Sequence, residues 1–168
     1  MGRDKALLPL GRLTMVQEIA AQVSAAAGSV TLIGPPEKYL PLGIPVIPDA
    51  VENCGPIGGL YTALSQTQAQ WNVLVACDMP NVTTAFLNHL FAAAETSGAD
   101  CVVPENEAKL DPLCAVYHRR VAPLVHAAIH HKLFKMKDFI ATLQAIRWPV
   151  PDARPLQNVN TPAEWSTR

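Results

Sequence analysis

Charge is scarce in this chain and almost balanced in sign, with 13 Lys and Arg against 14 Asp and Glu leaving a formal net charge of −1 at pH 7. That excludes a global field strong enough to draw the protein to nucleic acid or to an anionic lipid surface, so a small, specific ligand is the expected partner. Cysteine is nearly as sparse. Cys54, Cys77, Cys101 and Cys114 stand far apart with no C-x-x-C pair, which argues against a disulfide framework and a zinc site and reads as reduced thiols. No apolar run reaches the roughly 18 to 20 residues that span a bilayer, and no charged-then-apolar signal arrangement is present. Repeats, low-complexity tracts and linkers are also missing, so the expectation is one cytoplasmic domain over the 168 residues.

What is present alternates between two periods. Thr14 reads as an N-cap, followed by Met15, Val16, Ile19, Ala20 and Val23 at helical spacing, with Gly28 as the stop. Short apolar runs at 29–33 and 44–47 read as strands. Pro56 suits the first turn of a helix reaching Gln66. The run 71–76 is the strongest strand, a continuous apolar stretch expected to be buried on both faces. Thr83 or Thr84 then caps a helix carrying Phe86, Leu87, Leu90, Phe91 and Ala94 inward, with Gly98 closing it. Strands follow at 100–103 and 112–117, with helical stretches at 119–131 and 136–144 leading to the segment 146–149 and a closing helix from Thr161-Pro162. This order predicts an α/β fold: a doubly wound, mostly parallel sheet with helices on both faces.

In such sheets ligands bind beyond the carboxyl ends of the strands, where Asp49 and Asp78 are expected to stand. Magnesium keeps several waters and takes only one or two carboxylates, with substrate phosphates completing its shell, so two acidic residues on one edge suffice for a Mg-nucleotide site. Taken alone, an aspartate after a strand more often initiates a turn or caps a helix. Lys5 is the natural phosphate partner, although Gly2-Arg3-Asp4-Lys5 has no Ser or Thr after it and is not a P-loop. His126 and His130 lie four apart on a helix, yet no glutamate sits between them, so they read as a solvated face, as does the basic cluster His131, Lys132, Lys135 and Lys137. Cys77 is expected in the core at a strand end, and Trp148 and Trp165 are expected to dock the C-terminal segment.

Five segments in order resemble the molybdenum-cofactor guanylyltransferases of the nucleotidyltransferase superfamily. They are Met1-Gly2-Arg3-Asp4-Lys5-Ala6-Leu7-Leu8; Asp49 with Gly55-Pro56-Ile57-Gly58-Gly59-Leu60; Cys77-Asp78-Met79-Pro80; Asp111-Pro112-Leu113-Cys114-Ala115-Val116-Tyr117; and Asn158-Val159-Asn160-Thr161-Pro162. The resemblance implies a Rossmann-like nucleotidyltransferase fold and transfer of GMP from GTP to Mo-molybdopterin, with Mg2+ as cofactor. It also implies contact with other cofactor-synthesis proteins and acceptor molybdoenzymes. Lys5 and Asp78 would be catalytic, Asp78 holding the metal. Gly2, Arg3, Lys5, Asp49, Gly55, Pro56 and Asp78 would bind GTP. Asn158 and Asn160 would position the pterin phosphate or its loop, or form an Asx-turn into the last helix.

The family signature begins with a strand and L-A-G-G-x-S-x-R, none of which is in this sequence. The domain is therefore expected to be N-terminally truncated with its first strand missing, leaving two strands unpaired beside an apolar slot. Two alternatives stand next to the guanylyltransferase reading. One is the cytidylyltransferase branch, which tends toward a serine-containing segment where Gly55–Gly59 stands. The other is a non-catalytic nucleotide-binding relative or inactive fragment. The loop Gly34-Pro35-Pro36 also departs from the Asn-bearing loop of the family.

Overall fold

The structure is a computed structural model that describes residues 4–158. Gly2, Arg3, Asn160, Trp165 and the closing helix expected at Thr161 lie outside the described residues. A short hairpin, β1 (Pro9–Leu10) and β2 (Leu13–Thr14), turns at Gly11 with φ 65° and leads into helix α1 (Met15–Ala27). The Thr14 N–H donates to Gln17 Oε1 at 3.0 Å, and Gly28 ends the helix at φ 77° with its N–H on Ser24 O, as the sequence predicts. The buried stripe is Met15, Val16, Ile19, Ala20 and Val23.

Strands β3 (Leu32–Ile33) and β4 (Val46–Ile47) form a parallel pair, shorter than their apolar runs, linked through helix α2 (Pro36–Tyr39), which has no helical periodicity in sequence. Then come α3 (Pro56–Gln66), β5 (Trp71–Val75), α4 (Thr84–Glu95), β6 (Cys101–Asn106), β7 (Lys109–Leu110) and β8 (Cys114–His118). Thr83 caps α4 by accepting the Phe86 N–H at 3.2 Å. The helix stops at Glu95, three residues short of Gly98, because Thr96 and Ser97 turn their hydroxyls onto the last carbonyls. A 3-10 turn over Arg119–Val121 precedes α5 (Ala122–His130), and α6 (Met136–Ile140) precedes β9 (Ala145–Pro149).

The larger sheet runs β5-β8-β6, with β9 parallel to β6 on its far edge and β7 beside the end of β6. Because β8 is antiparallel to both neighbours, the sheet is mixed, while β5, β6 and β9 share one direction. Period-two alternation feeds two cores. Val102, Cys114 and Val116 face α1 and α4, whereas Cys101, Val103, Ala115 and Tyr117 face α3, α5 and α6. Trp148 packs edge-on to Phe86 of α4, ring centroids 5.9 Å apart, so it anchors β9.

One expectation fails informatively. All five residues of β5 are half-buried, not buried on both faces. Among the described residues β5 pairs only with β8, and β3 only with β4. Between these two strands lies an apolar slot of about 380 Å³, walled by Val16 and Ala20 of α1, Gly59 and Ala63 of α3, Leu32 and Ile33, and Val73 and Val75. The strand forms where its composition places it, while the slot leaves one of its edges uncovered.

Candidate active site at the carboxyl edge

The strand directions bring the carboxyl ends of β5, β6 and β9 to one edge. There the Ala76 N–H donates to Leu113 O at 2.7 Å, tying the Cys77-Asp78 loop to the Asp111–Leu113 loop before β8. Asp78 is half-buried at the end of β5, and Asp49 is exposed just after β4.

Asp49 is held by a contact on α3. Ala50 donates its N–H to Thr62 Oγ1 at 3.0 Å, and the Thr62 hydroxyl donates to Gly58 O at 2.9 Å. Thr62 is itself buried on the inner face of α3. A Cβ at Gly58 would stand 3.1 Å from Val51 O and 3.2 Å from Cys54 Cβ, so the glycine lets the 50–54 loop lie directly on the helix. Gly55, at φ 63° and ψ −151°, occupies a conformation open in practice only to glycine and turns the chain into α3, with Pro56 in its first turn.

Lys5 begins a three-residue 3-10 turn, Lys5–Leu7, capped by Asp4, which accepts the Ala6 N–H at 3.0 Å. Asp4 also accepts the Tyr39 hydroxyl at 2.7 Å and pairs with Lys38, both from α2. Burial alone would raise the Asp4 pKa; the hydrogen bonds from Lys38, Tyr39 and Ala6 outweigh it and hold the carboxyl below its ordinary range. Burial and the Asp4 carboxylate together push the Tyr39 phenol upward.

The mouth of the slot collects Ala6, Tyr39, Asp49, Gly55, Pro56, Ala76 and Cys77. Cys77 feels the charges of Asp78, Asp4 and Lys5, so these groups share one neighbourhood. Asp49, Gly55 and Pro56 thus line one opening, and Lys5 and Asp78 lie near enough to Cys77 at its rim for their charges to act on that thiol. Cys77 is exposed there, contrary to the expectation of a core thiol, because the slot beside β5 leaves the strand end uncovered.

Asn158 stands apart. It lines a second cleft of about 270 Å³ with Asn106, Lys109, Asp111 and Gln157, farther along the edge. The Asn106 amide donates to Val150 O at 2.7 Å, fixing one wall. Burial raises the pKa of Asp111, with Lys109 and Lys137 partly countering it. His126 packs on Tyr61, centroids 5.4 Å apart, and among the described residues no three His, Cys, Asp or Glu converge as a metal cluster. Asp78 alone still fits magnesium, which asks one or two carboxylates of a protein.

Sequence reading missed Asp4 as an anchor, Lys38 and Tyr39 as its partners, and Thr62. Only Thr62 left a signal: a hydroxyl residue mid-helix after two glycines invites the question of what it bonds.

A mixed sheet between two helical layers, with acidic residues beyond the strand ends and a lysine turn beside them, defines a Rossmann-like α/β protein of the nucleotide-handling kind. Comparison with known proteins narrows this. The profile of the MobA-like NTP transferase domain matches residues 1–146, and the chain belongs to that family. It is 30% identical over 141 residues to a probable molybdenum cofactor guanylyltransferase of Flavobacterium johnsoniae, covering 84% of this chain and 74% of the relative. The fold is similar to the molybdopterin-guanine dinucleotide biosynthesis protein A of Archaeoglobus fulgidus, with TM-score 0.84, 23% identity, and 99% and 89% of the two chains covered. A Mycobacterium tuberculosis protein solved in complex with manganese is similar at TM-score 0.67 and 20% identity, with 97% and 89% covered. Membership in the family makes the protein a nucleotidyltransferase.

Proposed function

We propose that the protein transfers GMP from GTP to Mo-molybdopterin, giving the guanine dinucleotide form of the cofactor and pyrophosphate. The observation that supports this is an opening at the carboxyl edge lined by Asp49, Gly55, Pro56 and Cys77, with Asp78 and Lys5 close enough to act on Cys77 by charge. In the reaction, an oxygen of the acceptor's terminal phosphate attacks the α-phosphorus of GTP in line. The bond to the β-phosphate oxygen breaks, and pyrophosphate leaves with that electron pair. Such a transfer needs little covalent help from a protein; it needs positioning and stabilisation of charge on the leaving group.

Lys5 would neutralise the β- and γ-phosphates, Asp49 would hold the guanosine, and Asp78 would hold magnesium. Bound there, the metal supplies Lewis-acid neutralisation of the phosphate oxygens. Gly55, with no side chain, and Pro56 would let the nucleotide approach the start of α3. Asn158, in the second cleft, would face the acceptor, and Gly2, Arg3 and Asn160 complete the proposed set. Pyrophosphate release in a mixture of Mg-GTP and Mo-molybdopterin tests the reading: it is expected only with both substrates, and release with CTP in preference to GTP would move the protein to the cytidylyl branch.

The slot supports a second reading. We propose as that reading a non-catalytic nucleotide-binding relative, in which the slot between β3 and β5 stays open beside the site. A protein acting with the slot unfilled would hold nucleotide without turning it over, and Mg-GTP binding without pyrophosphate release would favour that case.

A further inference from the structure

We propose that Tyr39 and Lys38 are positioning residues for Lys5: α2 is a strap that fixes the Asp4–Lys5 turn over the slot mouth, where Lys5 meets the polyphosphate of a nucleoside triphosphate. The proposal rests on the nucleotidyl-transfer reading and adds to it a segment that the family-like motifs leave out.

The turn cannot hold itself in place. Within it, Leu7 N–H reaches Asp4 O at 3.2 Å, Leu8 N–H reaches Lys5 O at 3.1 Å, and Asp4 Oδ1 takes the Ala6 N–H. These bonds shape the turn but do not set where it sits. The Met15 N–H on Leu8 O at 2.8 Å and the burial of Ala6 seat the far side of the turn; the side that carries Lys5 is tied by Asp4 Oδ2, which takes the Tyr39 hydroxyl across 35 residues of sequence and pairs with Lys38. Hydrogen bonds to an ionised acceptor are the strong ones, and two donors from one short helix leave Asp4 little freedom.

The loop before α2 is built for this contact. Gly34 sits at φ 154°, and a Cβ there would stand 3.0 Å from Tyr39 Cε2, so a side chain at this position would push the ring from Asp4. Pro35 and Pro36 then stiffen the entry into α2. The Gly34-Pro35-Pro36 loop that departs from the family pattern therefore acquires a use. Charge adds a second effect. Asp4 adjoins Lys5 and would repel an incoming polyphosphate; Lys38 offsets that charge and leaves the field of Lys5 to act on the ligand.

The test uses Tyr39→Phe, which keeps the ring against Gly34 and removes only the hydroxyl, and Lys38→Met as a second variant. Affinity is measured for Mg-GTP and for inorganic pyrophosphate, alongside the melting temperature. Tyr39→Phe is expected to weaken both ligands about ten-fold, the equivalent of one charge-assisted hydrogen bond, with Lys38→Met acting in the same direction. In a Lys5→Met background Tyr39→Phe is expected to add nothing, because its effect passes through Lys5. Unchanged affinity in Tyr39→Phe, or the same loss with and without Lys5, overturns the strap while leaving the functional reading intact. A wild-type protein that binds neither ligand overturns the functional reading and the strap with it.

Discussion

Thr62→Val replaces a hydroxyl by a methyl of similar size inside α3 and separates the stability of the site from its geometry. Thr62 is 1% exposed and makes two bonds through its hydroxyl, to the Ala50 N–H at 3.0 Å and to Gly58 O at 2.9 Å. Losing the two bonds costs about 2 kcal/mol, roughly 1 kcal/mol for each. The new methyl returns about 0.8 kcal/mol of apolar burial. The net loss is about 1 kcal/mol, a fall in Tm of roughly 2–4 °C for a domain of this size. Thr62→Ser keeps both bonds and loses a methyl, so its stability falls by a similar amount, about 0.8 kcal/mol. The two variants are therefore matched in stability and differ in whether the Asp49-Ala50 loop is held. Titration with Mg-GTP is expected to show several-fold weaker binding for Thr62→Val and wild-type binding for Thr62→Ser. Equal affinity in the two variants would refute the claim that this hydroxyl positions Asp49.

Ala63→Phe points a ring into the slot and is expected to stabilise the chain by about 1–2 kcal/mol in urea titration, since burying a large apolar side chain is worth about 1.5–3 kcal/mol. Loss of about 1–3 kcal/mol, the signature of overpacking, would show the slot to be filled. Tyr117→Phe removes a fully buried hydroxyl that donates to Pro112 O at 2.8 Å and is expected to cost about 1–2 kcal/mol, read from the same titration. Asp4 and Asp100 both titrate below their unfolded value of 3.8. For Asp100, burial acts upward but the Arg120 guanidinium at 2.8 Å and the Gln144 N–H at 3.0 Å outweigh it. Both contributions are complete above that unfolded value and disappear as pH falls through the folded pKa. Asp100→Asn is expected to flatten the loss of stability below about pH 4, by roughly 1 kcal/mol for a partly exposed pair.

The sequence carried the order of the main elements because each rests on local chemistry. Thr14, Gly28 and Thr83 cap helices where expected, and the alternating apolar residues of β6 and β8 divide between the two cores. It carried less about β8, whose antiparallel direction depends on the path of the 107–113 loop rather than on periodicity. The helix at 119–131 breaks into a 3-10 turn and α5 because the His118 ring takes the Arg120 N–H and redirects the chain. At the site, the charged residues next to strand ends were legible, since position on an α/β edge already suggests a role. The groups that hold them were not. Tyr39 reaches Asp4, and Thr62 reaches Ala50, through tertiary contacts that leave no spacing in the chain. The half-burial of β5 shows the same limit, because a strand's composition states what should cover it and not what does.

The most direct test is equilibrium titration of the wild type with Mg-GTP and Mg-CTP, repeated for Lys5→Ala and Asp78→Asn. The account predicts tighter binding of GTP than of CTP, with affinity falling at least ten-fold in both variants. Tighter binding of CTP, or variants that bind GTP as the wild type does, would contradict it.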